Sequence, residues 1–303
     1  MAVVTAPPID PLLDALSRRL GDDALVHLER LPARRARLAD TAAPLPAAQS
    51  ELLAARGIDA LWSHQAEALD LIRSGQSTVI ATGTASGKSL CYQLPVGEAA
   101  AEVVHPGTSL LLFPTKALAQ DQLRSLTQLG LPQVIAATYD GDTPPDQRTW
   151  ARRNANVLLT NPEMLHAGIL PNHANWATFL MRLRYVVIDE LHVLRGVFGT
   201  HVAHLLRRLR RLCARYGTSP TFVFSSATIG EPQRLASALC GLPVEAITDD
   251  GSPHGERLVA LWNPPLTDPG SGGRVSPNSV TADLMAELVG SGHRTLAFCR
   301  SRR

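Results

Sequence analysis

Lysine is almost missing from this chain. Lys and Arg together number 29 in 303 residues, yet only Lys88 and Lys116 are lysine. Arginine carries nearly all the positive charge, and each lysine stands just past a short apolar run. A compact ammonium fits inside an anion-cradling loop, where a planar guanidinium needs a wider fork of acceptors. Cysteine is scarce as well. Cys91, Cys213, Cys240 and Cys299 lie far apart with no Cys-x-x-Cys pair, which argues against a zinc site or a disulfide framework and fits a reducing cytoplasm. No apolar run approaches the roughly 20 residues of a membrane span, and Met1 to Asp10 lacks the basic start and apolar core of a signal peptide. A formal net charge of +2 is too mild for bulk attraction to a polyanion, so any such contact needs a local patch.

Length allows one full α/β domain and a remainder. Helical patterns at Leu12 to Leu20, Ala24 to Leu31 and Gln49 to Arg56, broken by prolines, predict an N-terminal helical extension over residues 1–50. Short unbroken apolar runs then recur at Thr78 to Ala81, Leu110 to Phe113, Val134 to Ala137, Val157 to Leu159, Val186 to Ile188 and Thr221 to Phe224, each followed by a helical stretch. Such runs predict a parallel sheet covered by helices on both faces, with ligands at the carboxyl ends of its strands. This domain spans 51–250. A polar stretch at 251–256 reads as a linker, and strand-like runs at Arg257 to Trp262 and Thr295 to Cys299, with a helical pattern between, form a segment over 257–303.

The chemistry collects at strand ends. Thr82-Gly83-Thr84-Ala85-Ser86-Gly87-Lys88-Ser89 follows one strand and opens a helix, the context of a phosphate-binding loop. Thr82 stands where the plain motif has its first glycine. Lys88 would reach the β- and γ-phosphates and the Ser89 hydroxyl would ligate Mg²⁺. Asp189-Glu190-Leu191-His192 ends another strand: Asp189 suits the metal and Glu190 suits a base aimed at water, although a helix cap followed by a first-turn acid reads equally well in isolation. Gln65 could read adenine through its amide, or lie solvated on its helix. Ser226-Ala227-Thr228, taken alone, is turn chemistry.

The ordered series Ser63-His64-Gln65, Ala81 to Ser89, Pro114-Thr115-Lys116-Ala117-Leu118, Thr160-Asn161-Pro162-Glu163-Met164, Asp189 to His192 and Ser226-Ala227-Thr228-Ile229 resembles motifs Q, I, Ia, Ib, II and III of superfamily-two DExH/DEAD-box helicases. In finer wording, Arg195-Gly196-Val197-Phe198-Gly199 and Leu261-Trp262-Asn263-Pro264-Pro265 are similar to the Hrq/YprA-like branch, whose members carry a cysteine-rich zinc module at the far C-terminus. The resemblance implies a RecA-like P-loop domain and, over 257–303, the truncated start of a second one, with Phe298 to Arg302 similar to motif IV but without motifs V and VI or the zinc module. It implies ATP and Mg²⁺ as cofactors and single-stranded or tailed duplex DNA as partner. It assigns Lys88, Ser89, Asp189 and Glu190 to ATP hydrolysis, with the loop Thr82 to Ser89 holding phosphates and Gln65 holding adenine. His192, Ser226 and Thr228 would couple nucleotide state to domain motion. Thr115, Lys116, Thr160 and Asn161 would touch the nucleic-acid backbone.

The expected activity is ATP-dependent DNA strand separation, serving repair, with poor turnover by this chain alone because the second domain's cationic fingers are missing. A DNA translocase that separates no strands and a catalytically dead nucleic-acid-binding module are the rivals, and a P-loop small-molecule kinase leaves the Ser226 and Lys116 motifs unexplained. Arg207, Arg208, Arg210, Arg211 and Arg215 punctuate leucines and read as a solvated helix face rather than a DNA patch. His201 and His204 read as ordinary packing or surface histidines.

Overall fold

The computed structural model describes residues 24–268, 270 and 272–298. The order is β1 (Leu25–Leu31), α1 (Ala47–Ala54), α2 (Ser63–Arg73), β2 (Thr78–Ala81), α3 (Lys88–Ala101), β3 (Thr108–Leu112), α4 (Lys116–Leu129), β4 (Ala136–Thr138), α5 (Pro145–Asn154), β5 (Val157–Thr160) and β6 (Leu183–Ile188). There follow α6 (Gly196–Arg215), β7 (Thr221–Ser226), α7 (Pro232–Cys240), β8 (Glu245–Ile247), β9 (Arg257–Trp262), β10 (Leu266–Asp268), β11 (Gly273–Arg274) and α8 (Pro277–Gly290). Two compact units form among the described residues: 35–253, and 24–34 together with those from 254.

The larger unit is built on a seven-stranded sheet in the order β4-β5-β3-β6-β7-β2-β8. Every pairing in it is parallel. The strands lack a polar face because both sides are covered. Along β6, Val186 and Ile188 join one apolar cluster while Tyr185 and Val187 join another. That alternation puts the two clusters on opposite faces. One contains α6 and α7 through Leu206, Leu209 and Leu239, and the other contains α1 to α4 through Leu53, Leu69, Leu94 and Leu126. The expected parallel sheet with helices on both faces is what forms. No described helix is long and apolar enough to cross a membrane.

In the smaller unit the expected helix over Ala24 to Leu31 is instead the strand β1. It pairs antiparallel with β9, from Leu31 opposite Arg257 to Leu25 opposite Trp262, with an irregularity between Leu25 and His27. Arg30 bonds Glu256 at 2.6 Å and the Asn263 N–H donates to Ala24 O at 2.7 Å. A partner strand far along the chain outweighs the weak helical preference of an Ala/Leu-rich segment. The strand expected from Thr295 does not form over 295–298, and Cys299 lies outside the described residues, as does the pattern at Leu12 to Leu20. The helical pattern at Val280 to Val289 is α8.

Candidate functional site

The strand order places the ends of β6, β7 and β2 side by side. Asp189, Ser226 and the loop after Ala81 therefore meet at one carboxyl edge although far apart in sequence. The loop from Thr82 to Gly87 is braced from within: Ser86 Oγ lies 2.7 Å from Thr82 Oγ1 and donates to Gly83 O at 2.8 Å. Gly87 has φ 65, and a Cβ there would come within 2.6 Å of Gln65 Nε2 and 3.0 Å of Trp62 Cζ3. Both the conformation and the space require glycine. Ala85 also takes a left-handed backbone, φ 60, a strained state for a residue with a Cβ.

Lys88 folds back over this loop, its Nζ donating to Gly83 O at 2.6 Å and Thr82 O at 3.2 Å. Burial lowers its pKa, and the nearby charges of Asp189, Glu190 and Asp250 oppose that shift. Burial likewise pushes the Asp189 carboxyl above its ordinary value, against hydrogen bonds from Ser225 and from the Glu190 N–H at 2.9 Å. Glu190 adopts φ 55 and ψ 45. Its Oε2 lies 3.1 Å from His192 Nδ1, close enough for an ion pair, yet among the described residues that nitrogen has no partner of hydrogen-bond geometry. Among the described residues Ser226 Oγ is buried without a partner, Thr228 is exposed, and no hydrogen bond joins either to His192. The Tyr92 hydroxyl donates to Gln122 Oε1 at 3.0 Å, and burial pushes its pKa up.

Gln65 ties the helix start to the loop. Its Oε1 accepts from Trp62 N–H at 3.0 Å and its Nε2 donates to Gly87 O at 3.1 Å. His64, fully buried, does the same one residue earlier: Nδ1 accepts from Gly251 N–H at 3.1 Å, which leaves the ring proton on Nε2 to bond Ser86 O at 2.9 Å. Asp250 closes the arrangement by accepting from Gly83 N–H at 3.3 Å and Ser252 N–H at 2.9 Å. Sequence reasoning gave His64, Ser225, Asp250 and Tyr92 no role. Asp250 was hidden in what read as the approach to a linker, and only the fold carries it to the loop.

The residues expected on nucleic acid divide. Thr115 Oγ1 caps α4 by accepting from Leu118 N–H at 3.3 Å, and Asn161 Oδ1 accepts from Met164 N–H at 2.7 Å. Lys116 is half exposed and pairs with Asp142 Oδ2 at 2.6 Å, a hydrogen bond that raises its pKa. Thr160 is buried, and its hydroxyl donates to Tyr139 O at 2.5 Å. It has no exposed surface for a phosphate; it fixes the strand end from which Asn161 projects.

Residues 62–235 match the family model described as DEAD/DEAH box helicase, and the chain belongs to that family. Among its relatives is the protein described as uncharacterized ATP-dependent helicase YprA of Bacillus subtilis, 40% identical over 96% of this chain and 39% of the relative. The ATP-dependent helicase HRQ1 of Saccharomyces cerevisiae is 42% identical over 80% of this chain and 23% of the relative. A solved structure of the DUF1998 helicase MrfA bound to DNA and AMPPNP superposes with a TM-score of 0.88 at 39% identity, covering 96% of this chain and 41% of that one. The chain thus spans well under half the length of these relatives.

Proposed function

We propose that this chain is the nucleotide-binding portion of an ATP-driven DNA helicase, acting on single-stranded or tailed duplex DNA in the cytoplasm, with repair as the process the resemblance suggests. The observation that carries the reading is the convergence of Lys88, Asp189 and Ser225-Ser226 at adjacent parallel strand ends. Thr82 to Ser89 cradle the phosphates through backbone N–H groups, and Lys88 swings from its loop carbonyls onto the β- and γ-phosphates. Gln65 exchanges an internal bond for the adenine edge. A hard divalent cation fits the oxygen donors Asp189 and Ser89, and the raised pKa of Asp189 marks a buried carboxylate with too little positive charge around it. Mg²⁺ there would neutralise charge on the phosphates. Glu190 takes the proton of the attacking water, while His192, Ser226 and Thr228 pass nucleotide state onward. Thr115, Lys116 and Asn161, supported by Thr160, hold the nucleic-acid backbone without reading sequence. The buried unpaired thiols of Cys91, Cys213 and Cys240 are compatible with a reducing compartment.

Lys88→Ala tests the nucleotide site. A charge-assisted contact is worth about 1.5–3 kcal/mol, so Kd for a fluorescent ATP analogue should rise roughly 10- to 150-fold. Unchanged affinity in a folded variant overturns the assignment.

A further inference from the structure

The arginines of α6, which look alike in sequence, fall into two sets in the structure. Arg207 donates to Ala238 O at 3.3 Å and Arg210 to Cys240 O at 2.9 Å and Gly241 O at 3.1 Å, so these two cap the carboxyl end of α7. Arg208 and Arg211 make no hydrogen bond or ion pair among the described residues. They lie with His201 and His204 along one side of the helix, and Arg215 continues the line. Positions 201, 204, 208, 211 and 215 are separated by steps of three and four, which keeps them on a single stripe about 21 Å long at 1.5 Å per residue. The same stripe begins one step earlier at Phe198, an aromatic ring left 46% exposed.

This stripe forms one wall of a hollow of about 490 Å³, with Glu163 and His166 on the other wall. The second wall starts at Pro162, directly after Asn161. One carboxylate faces two unpaired guanidiniums and three imidazoles, so the hollow favours an anion. A line of cationic positions matches the regular charge of a sugar-phosphate backbone, and an exposed ring at its end suits stacking on a base. An acidic peptide would use the cations but has no base to place on Phe198.

We infer that the hollow between α6 and the segment after Asn161 is a second stretch of the nucleic-acid track, in which Arg208 and Arg211 hold backbone phosphates and Phe198 stacks on a base. This rests on the nucleic-acid reading proposed above and extends it to residues that reading does not use.

The test compares the parent chain, Arg208→Ala/Arg211→Ala, Phe198→Leu and Arg210→Ala for binding to a fluorescein-labelled single-stranded DNA by anisotropy across a salt series. The double variant should bind roughly 2- to 30-fold more weakly, the expectation for two solvent-exposed ion pairs. Its salt slope should fall by about 1.4, or about 0.7 per phosphate contact. Phe198→Leu should weaken binding by roughly fivefold or more with the slope unchanged. Arg210→Ala should lower the melting temperature and leave the slope alone, and the fluorescent ATP analogue should bind all four proteins equally. If the double variant folds poorly, Arg208→Gln/Arg211→Gln keeps much of the packing stem and answers the same question. Parent binding with unchanged affinity and slope in the arginine variants overturns this inference alone, whereas a parent chain that binds no DNA overturns the nucleic-acid reading beneath it too. Polyglutamate that competes as well as DNA, and loses affinity equally in the double variant, would make the hollow an acidic-protein surface and also overturn the inference.

Discussion

A buried carboxylate is costly to ionise, and Asp189 is one. Its pKa is raised above the ordinary 3.8, first by burial. A carboxyl with a folded pKa above its unfolded one contributes stability that is fully present below the unfolded value and lost as pH rises through the folded value. At neutral pH, above the unfolded value, Asp189 therefore works against folding, and Asp189→Asn should melt higher than the parent, by about 2–4 °C per kcal/mol relieved. The amide oxygen can still accept from the Glu190 N–H. The gain should shrink toward zero as pH is lowered past 3.8, and a calorimetric melting series in pH without added metal reads it. A lower melting point for the variant at neutral pH would show that Asp189 is held mainly by its hydrogen bonds. At this scale the sequence singled out Lys88 and Asp189, the residue types that the proposed chemistry asks for. It did not reveal His64 or Ser225, because an imidazole between two backbone groups of distant loops and a serine beside a carboxylate on the next strand leave no local pattern.

Secondary-structure elements set how those side chains are offered. The turn between β4 and α5 is pinned by Asp140, whose Oδ1 accepts from the N–H groups of Asp142 at 2.8 Å and Thr143 at 3.1 Å. That turn aims Asp142 at Lys116, the first residue of α4. If Lys116 meets a phosphate, Asp142 is its competitor. Asp142→Ala should then tighten single-stranded DNA binding by roughly a few-fold, since exposed ion pairs are weak, and the gain should fade in high salt. Binding that weakens in the folded variant would place Asp142 on the nucleic-acid track as a positioning group rather than a competitor. The strands of the covered sheet were legible because unbroken apolar runs such as Val186 to Ile188 leave few alternatives. β1 was not: its leucines at 25, 28 and 31 have a spacing that suits an amphipathic helix, and the deciding factor, β9, lies more than two hundred residues away.

The whole molecule joins a well-buried sheet to a thinner piece of structure. In β6 every residue but Arg184 is buried, whereas β1 has no fully buried residue and β9 alternates between exposed and half-buried positions. A two-stranded ribbon is marginal in water without a covering element. This one also closes a loop between Arg30 and Glu256, 226 positions apart, at an entropic cost that local hairpins avoid. Amide exchange should therefore report two levels of protection, with β6 opening only with the global fold and β1 and β9 opening earlier. Because each strand is the other's hydrogen-bond partner, their amides should also become exchangeable at the same denaturant concentration. Mass-resolved exchange on the intact chain separates the possibilities. Protection of β9 equal to that of β6 would mean that the smaller unit folds as firmly as the larger, and a β9 that stays protected while β1 exchanges freely would mean that the pairing is not what holds it.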